Sequence, residues 1–567
     1  MHFSMKKLMI NLLAVLWAWV VIVPILLRNL SVEKHYNKAI NSLERGSIVF
    51  DKLTTGEPQL PSAVPRVIVT NETVKKEEGG EILPTSCACK TAPLLYSNIY
   101  REQLSKPVSW RNMTSIQVQA KNHPNFPYSL FEHTDKEFCD LMPKLHTIAW
   151  AETYYQTMTV SNFSSIYLYS AFLDNRPLAE TRPCIRILAY TKAKRPASPW
   201  CYTWFNTTGP PAVSQVIRKD YVDWQIRSTY RQMFFILTCP IPKTVAHLTP
   251  LAVSLVSRPC DKAQTLLQIT GAMQRNDTTA YIGGNSAKTV NGIPQWSVAV
   301  CGPALFYYHE DISIRLVEWL ELLRALGFAR VFLLQTAVHP NVEKVLRYYE
   351  AEGFLGVTRF SYPESYVNEP NIRRLWILLE RSKLFGLENM YFTDCLLRHM
   401  HEYRFISHFD PDEMPMLPKH DSFPLWLYER IRKAKSKKRI TSYDLNWRYH
   451  HDDLEPTEDK SLPEYLWFLR HTKVSKKDVF KSLSKPTFDM DVVTGVFSHG
   501  ALSCVYGRCF LRGNKCPRQV AYLGHYRRDC GEDCQIPDSV DDVPSLLKYK
   551  DEVSLAVQRT LVKLELI

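Results

Sequence analysis

Between Arg404 and Pro418 a short apolar run, Phe405-Ile406-Ser407-His408-Phe409, is followed at once by Asp410-Pro411-Asp412-Glu413 and then Met414-Pro415. The run is aromatic and β-branched, with prolines just beyond it, which predicts a buried strand that stops abruptly. Three carboxylates crowd the point where it stops. Two aspartates one residue apart at the end of a parallel strand offer hard oxygen ligands to Mg²⁺ or Mn²⁺, cations that keep open positions for phosphates. Open α/β sheets bind nucleotides at such strand ends. Taken alone, Asp-x-Asp is more often a chance loop of solvated acids, and it is the surrounding elements that reverse this reading.

Those elements begin at Trp296. Ser297-Val298-Ala299-Val300-Cys301 reads as a buried strand, and Leu316, Val317, Leu320, Leu323 and Gly327 then follow a helical period. Val331 to Leu334 is the next strand; Val342, Val345, Leu346 and Tyr349 mark a helix ending at Gly353; Val357 to Phe360 is a third strand. A helical stretch over Arg373–Leu387 leads to the strand before Asp410. Alternation of strand and helix predicts a parallel, doubly wound α/β sheet. No Gly-rich phosphate cradle is present, so bound phosphates would need a metal to neutralise them. Upstream, residues 91–290 carry short aromatic and β-branched runs between turn residues, which predicts an all-β, sandwich-like domain. Asn276–Gly292 reads as a linker, and 536–567 as a C-terminal helical tail after an α/β domain over 296–535.

The N-terminus sets the expected compartment. Residues 1–7 hold Lys6 and Lys7, and residues 8–27 are an uncharged apolar run closed by Arg28, long enough to span a bilayer. Lysines before the run favour a cytoplasmic tail and a type II signal anchor over a cleaved signal peptide. Residues 28–90, polar and poor in aromatics, read as a flexible stem. Fourteen cysteines and acceptor sequons at Asn71, Asn112, Asn162, Asn206 and Asn276 suit an oxidising lumen. Cys87-Ala88-Cys89 lacks a second pair at metal-ligand spacing and is read as part of structural disulfides. The net charge of +13 fits either an anionic ligand or a solvated basic surface. The basic run Arg430–Arg439 lacks interleaved aromatics, so no nucleic acid is expected.

The ordered pieces Val300-Cys301-Gly302-Pro303, Leu316-Val317-Glu318-Trp319, Tyr348-Tyr349-Glu350, Asp394-Cys395-Leu396, Asp410-Pro411-Asp412-Glu413, Val496–Gly500 and His525-Tyr526-Arg527 resemble glycosyltransferase family 92. Upstream, Ser170–Arg176 resembles a segment that precedes that family's catalytic core, so the resemblance runs over roughly 160–530. Pro411 departs from the aliphatic residue the family usually has between the aspartates, but it leaves both carboxylates in place.

The resemblance implies a GT-A-like, Rossmann-type nucleotide-sugar domain in a Golgi or other secretory-pathway membrane. It implies transfer of a hexose, typically galactose, from a UDP-sugar to a glycan or glycoprotein acceptor with inversion. Asp412 would bind Mn²⁺ (or Mg²⁺), Asp410 would take the ribose or a metal-bound water, and Glu413 would orient a neighbouring ligand. Lys485 or Arg527 would reach a phosphate, and Asp394 would hold the uridine or cap a helix. His525 or His499 would complete the metal shell; each reads equally well as a hydrogen-bonded structural histidine. The base is left open among Asp489, Asp491 and Asp529. Two other readings stand beside this one: a different UDP-sugar donor, and a non-catalytic glycan-binding protein on the same fold. Expressed in a secretory cell, the chain should be membrane-bound and shift in size when N-glycans are removed. A cytosolic, unglycosylated full-length product would contradict the expected compartment.

Overall fold

A computed structural model describes Cys87 and residues 123–128, 139–161, 164–205, 210–223, 232–271, 289–290, 293–294, 297–306, 308–364, 366–379, 381–434, 440–476, 483–509, 513–527 and 539–567. The apolar run at 8–27, the stem apart from Cys87, the five sequon asparagines and Asp529 lie outside them. Among the described residues no helix is long and apolar enough to cross a membrane.

The β-branched and aromatic runs upstream of residue 271 pair into one ten-stranded sheet. Its strands are β1 (Trp150–Glu152), β2 (Tyr155–Ser161), β3 (Ser164–Asp174), β4 (Cys184–Thr191), β5 (Trp200–Phe205), β6 (Ala212–Gln215), β7 (Arg218–Tyr221), β8 (Met233–Pro240), β9 (Pro250–Val256) and β10 (Leu267–Thr270). The order is β6-β5-β9-β10-β3-β4-β8-β7, with β2 and β1 added beside β3. Only the β10–β3 pairing is parallel. Side chains from both halves, such as Leu168, Ile187, Leu237, Val253 and Leu255, share one core. A disulfide from Cys201 on β5 to Cys239 on β8 joins the halves. The expected two-layer packing is therefore reached by one open sheet whose two halves share a core. A short hairpin, β11 (Thr289–Val290) with β12 (Ile293–Pro294), follows.

The second sheet is mixed, not wholly parallel. Strands β13 (Val298–Leu305), β14 (Arg330–Gln335), β15 (Leu355–Arg359) and β16 (Phe405–His408) run parallel in the order β15-β14-β13-β16. Their crossovers are α1 (Ser313–Ala325), α2 (Pro340–Ala351), and the successive helices α3 (Pro370–Leu379) and α4 (Arg381–His399). Gly327 and Gly353 end α1 and α2 with φ of +88° and +74°, a conformation that side chains with a Cβ resist. Helix α4 runs past the predicted end at Leu387 because Met390, Phe392, Leu396 and Leu397 are buried too. It lies against both sheets: its side chains share a core with Tyr169 and Phe234 of the first and Ala299 and Phe332 of the second. A helix covered on more than one face loses the clean apolar stripe that marks a surface helix. The disulfide Cys301–Cys395 pins it to β13, and Cys87 pairs with Cys260.

Past β16 most pairings are antiparallel, although one strand, Ser442–His451, runs parallel to two later strands. The remaining elements are β17 (Glu413–Met416), α5 (Phe423–Lys433), β18 (Ser442–His451), β19 (Lys473–Ser475), β20 (Ser484–Asp489), β21 (Val493–Phe497), β22 (Gly500–Cys504), β23 (Gly507–Arg508), β24 (Gly513–Lys515), β25 (Tyr522–Arg527), β26 (Val540–Asp542) and α6 (Lys550–Lys563). Strand β20 pairs antiparallel with β16, and β18 runs along β20 before passing to β25, which in turn pairs with β17. Helix α6 buries Val553, Val557 and Leu561 in the core that α1 also lines, so the C-terminal helix packs on the second sheet's core. The described residues belong to one compact unit, 82–567.

Candidate active site at the end of the fourth parallel strand

Strand β16 is buried on both faces and lies between parallel β13 (Cys301 opposite His408) and antiparallel β20 (Ser407 opposite Thr487). The strand order reverses between β13 and β16, the position where open α/β sheets leave a crevice at their carboxyl ends. The turn that follows β16 closes on itself. The Asp410 amide donates to Glu413 Oε2 at 2.9 Å, and the Glu413 amide donates to the Asp410 carbonyl at 2.9 Å. Glu413 then opens β17, whose register sets it opposite His525 on β25. His525 Nε2 thereby comes to 3.3 Å from Asp412 Oδ2, and the Tyr526 amide donates to the Asp412 carbonyl at 2.9 Å.

Behind this turn is a buried ammonium. Lys485 of β20, 2% exposed, donates to Asp410 Oδ2 at 2.7 Å and lies 3.4 Å from Glu413 Oε2. Burial alone would lower the Lys485 pKa, but the two carboxylates outweigh it and raise it above the ordinary lysine value. For Asp410, burial raises the pKa and Lys485 more than offsets that, leaving it at about 2. Glu413, wholly enclosed, is raised well above the usual carboxylate range by burial, with Lys485 opposing the shift and Asp410 and Asp412 adding to it. Glu413 thus organises the turn, while Lys485 faces inward to the Asp410 carboxylate and not to a phosphate as expected. His408 lies on the same side as Asp410, 3.8 Å from it, with Nδ1 donating to the Cys301 carbonyl. Burial and Lys485 lower the His408 pKa well below that of a free imidazole.

The two candidate histidines separate. His499, between β21 and β22, donates through Nδ1 to the Ser484 carbonyl at 2.9 Å. Burial, with Lys485 beside it, pushes its pKa down to about 4, so it is a neutral imidazole whose Nε2 carries the lone pair. The Trp447 ring packs against both histidines, with centroids 5.1 Å from His499 and 4.5 Å from His525. His525 contacts Asp412 directly, and its buried Nδ1 has no hydrogen-bond partner.

The remaining expectations fare differently. Asp489 and Asp491 pair with Arg404 at 3.3 and 3.2 Å, at the other end of β16, where Phe405 lies opposite Asp489. Because β20 runs antiparallel, its four-residue course from Lys485 carries Asp489 roughly 13 Å away. Neither aspartate is among the residues lining the strand-end cleft, and Asp529, the third base candidate, lies outside the described residues. Asp394, fully enclosed on α4, accepts from Ser170 Oγ at 2.8 Å and is ion-paired to Arg398 at 3.0 Å. It ties α4 to β3 and is not among the residues lining the Asp412 cleft.

A cleft of about 220 Å³ opens beside Asp412, whose side chain is 44% exposed. Glu310, Arg315, Trp467, Tyr526 and Arg527 line it with Asp412, over an apolar floor of Ile312 and Leu316. Arg527 was expected here. Glu310, Arg315 and Trp467 were not: Glu310 and Trp467 lie between regular elements, and Arg315 sits on α1 beside its apolar stripe, with no motif to mark any of them. Among the described residues no group of three or more His, Cys, Asp or Glu side chains forms a full protein cage for a metal. The oxygen of Asp412 and the nitrogen of His525, side by side at the cleft edge, nevertheless fit a cation that draws its other ligands from water and phosphate.

The buried ion pair gives a direct test of the turn's construction. Lys485→Met should lower stability by about 2–3 kcal/mol, less than for a fully enclosed pair because Asp410 keeps a third of its side chain in water. A Lys485→Met/Asp410→Asn double variant should regain part of that loss in urea unfolding. Equal stability of the single variant and the parent would show that the ammonium does not hold the turn.

The glycosyltransferase family 92 model matches residues 297–561, from β13 into α6, and leaves the upstream Ser170–Arg176 segment outside the match. No curated protein matches the chain. Among solved structures, the crystal structure of residues 1–349 of TarS from S. aureus is similar at 10% identity with a TM-score of 0.19. That match covers 34% of this chain and 47% of the TarS chain. Over residues 297–561, the mixed sheet and its strand-end cleft, the chain carries a domain of glycosyltransferase family 92.

Proposed function

We propose that the cleft beside Asp412 binds a UDP-sugar and transfers its hexose, galactose by the family resemblance, to a glycan acceptor with inversion. The family match supports glycosyl transfer in general. The observation that carries the finer reading is the contact of Asp412 with His525 at the carboxyl end of β16, at the switch in strand order. In this reading Asp412 and His525 hold Mn²⁺ or Mg²⁺, which when bound neutralises charge on the diphosphate leaving group. Asp410, with one oxygen taken by Lys485, turns the other to a ribose hydroxyl or to water. Arg527, exposed at the end of β25, offers its guanidinium to a phosphate. An inverting transfer also needs a carboxylate base at the acceptor hydroxyl, and Glu310 is the cleft-lining carboxylate left for that role. Anchoring through residues 8–27, with the enzyme in a Golgi or other secretory lumen, belongs to the same proposal.

Titrating Mn²⁺ against sugar transfer separates the residues. Asp412→Asn should abolish transfer with the fold intact, because the side chain stands at a turn and adds little core. His525→Ala should raise the metal requirement about tenfold or more, and His499→Ala should leave it unchanged. A raised requirement only in His499→Ala would move the ligand to that histidine. Normal transfer by Asp412→Asn would remove the metal site from this turn.

A further inference from the structure

Helix α1 sends two side chains toward the loop before β19, one turn apart. Glu318 is wholly buried, and its carboxylate accepts the Trp467 amide at 2.5 Å and the Leu469 amide at 3.0 Å. The Phe468 amide also bonds to it, so three consecutive backbone donors converge on one carboxylate. A buried acid with this many donors fixes the backbone it grips. The gripped loop returns Trp467 beneath the other helix side chain, Arg315, whose guanidinium carbon lies 3.8 Å above the indole centroid. Trp467 is held in turn by its Nε1 donation to Asp452 and by Tyr526, 5.3 Å away, whose hydroxyl donates to the Phe468 carbonyl at 3.1 Å. Asp452 lies 3.6 Å from the Arg315 guanidinium on another edge.

An arginine left 38% exposed after so much support is a presented cation. Arg315 lines the same cleft as Asp412 and Arg527. A planar guanidinium stacked on indole keeps its donor edge in a fixed direction, and that suits phosphate oxygens better than a mobile lysine would. We propose that Arg315, mounted on Trp467 and fixed from below by Glu318, is a second phosphate-binding cation of the cleft, for the diphosphate of a nucleoside-diphosphate sugar. Glu318 and Trp467 are positioning residues in this arrangement, acting through Arg315. The proposal rests on the reading that the Asp412 cleft takes such a donor.

Binding of UDP and of uridine to the purified full-length chain, both measured with Mn²⁺ present, tests it. Arg315→Gln should weaken UDP about tenfold and leave uridine unchanged, because only UDP carries the charge that the guanidinium meets. Trp467→Ala should weaken UDP in the same direction, and the Arg315→Gln/Trp467→Ala pair should lose little more than the worse single variant. Glu318→Gln keeps the shape but places an amide among backbone donors; it should also weaken UDP more than uridine. Equal losses for UDP and uridine, fully additive losses in the pair, or unchanged UDP affinity in Arg315→Gln would each overturn the assignment. Asp412→Asn is the control for the underlying reading. If it loses UDP while Arg315→Gln keeps it, the cleft stands and Arg315 is dismissed. If Asp412→Asn also binds UDP as the parent does, the donor cleft itself is misplaced.

Discussion

The site depends on one buried ammonium. Lys485 reaches Asp410 from the strand beside β16 and stands close to Glu413, so the end of that strand can carry acidic groups in an interior that would otherwise reject them. With Asp410 neutralised from within and Glu413 bonded to the Asp410 amide, the turn is rigid without any help from solvent. Asp412 is the most exposed acid of the turn, and β17 delivers it to His525. Removing the ammonium leaves a charge without compensation; replacing the whole group with apolar side chains would cost less but would leave nothing to define the turn.

Much of this was legible in the sequence because it is local. A strand that stops at prolines, two aspartates at its end, and strands alternating with amphipathic helices from Val298 to His408 are patterns of adjacent residues, and the structure realises them. The half after β16 was not legible, because nothing near Lys485 or His525 announces which strand either will pair with. That is why Lys485 was expected on a phosphate and lies instead under the turn. It is also why Asp489 and Asp491, close to Lys485 in the chain, lie at the far end of β16. Helix α4 was read short for a related reason: contacts with both sheets bury residues that a surface helix would expose.

The two sheets bear on the site differently. The second sheet supplies the strand ends, while the first meets it through α4, where Asp394 joins Ser170 and Arg398 and the Cys301–Cys395 disulfide ties the helix to β13. Asp394 therefore joins the first sheet to α4, which the disulfide joins to the second. Trp467, Tyr526 and Arg315 form a wall whose parts are far apart in sequence, packed by aromatic contacts and backbone hydrogen bonds. Such a wall can keep its shape before any ligand arrives, which reduces the ordering cost of binding.

A crystal structure of the chain with UDP and Mn²⁺ would probe the donor site most directly, using the anomalous signal of the metal. The expected result is a single manganese peak within coordination distance of Asp412 and His525, with the diphosphate in the cleft and the Lys485–Asp410 pair still closed beneath it. Manganese bound through Asp410 with Lys485 displaced, or UDP seated away from the Asp412 cleft, would contradict it.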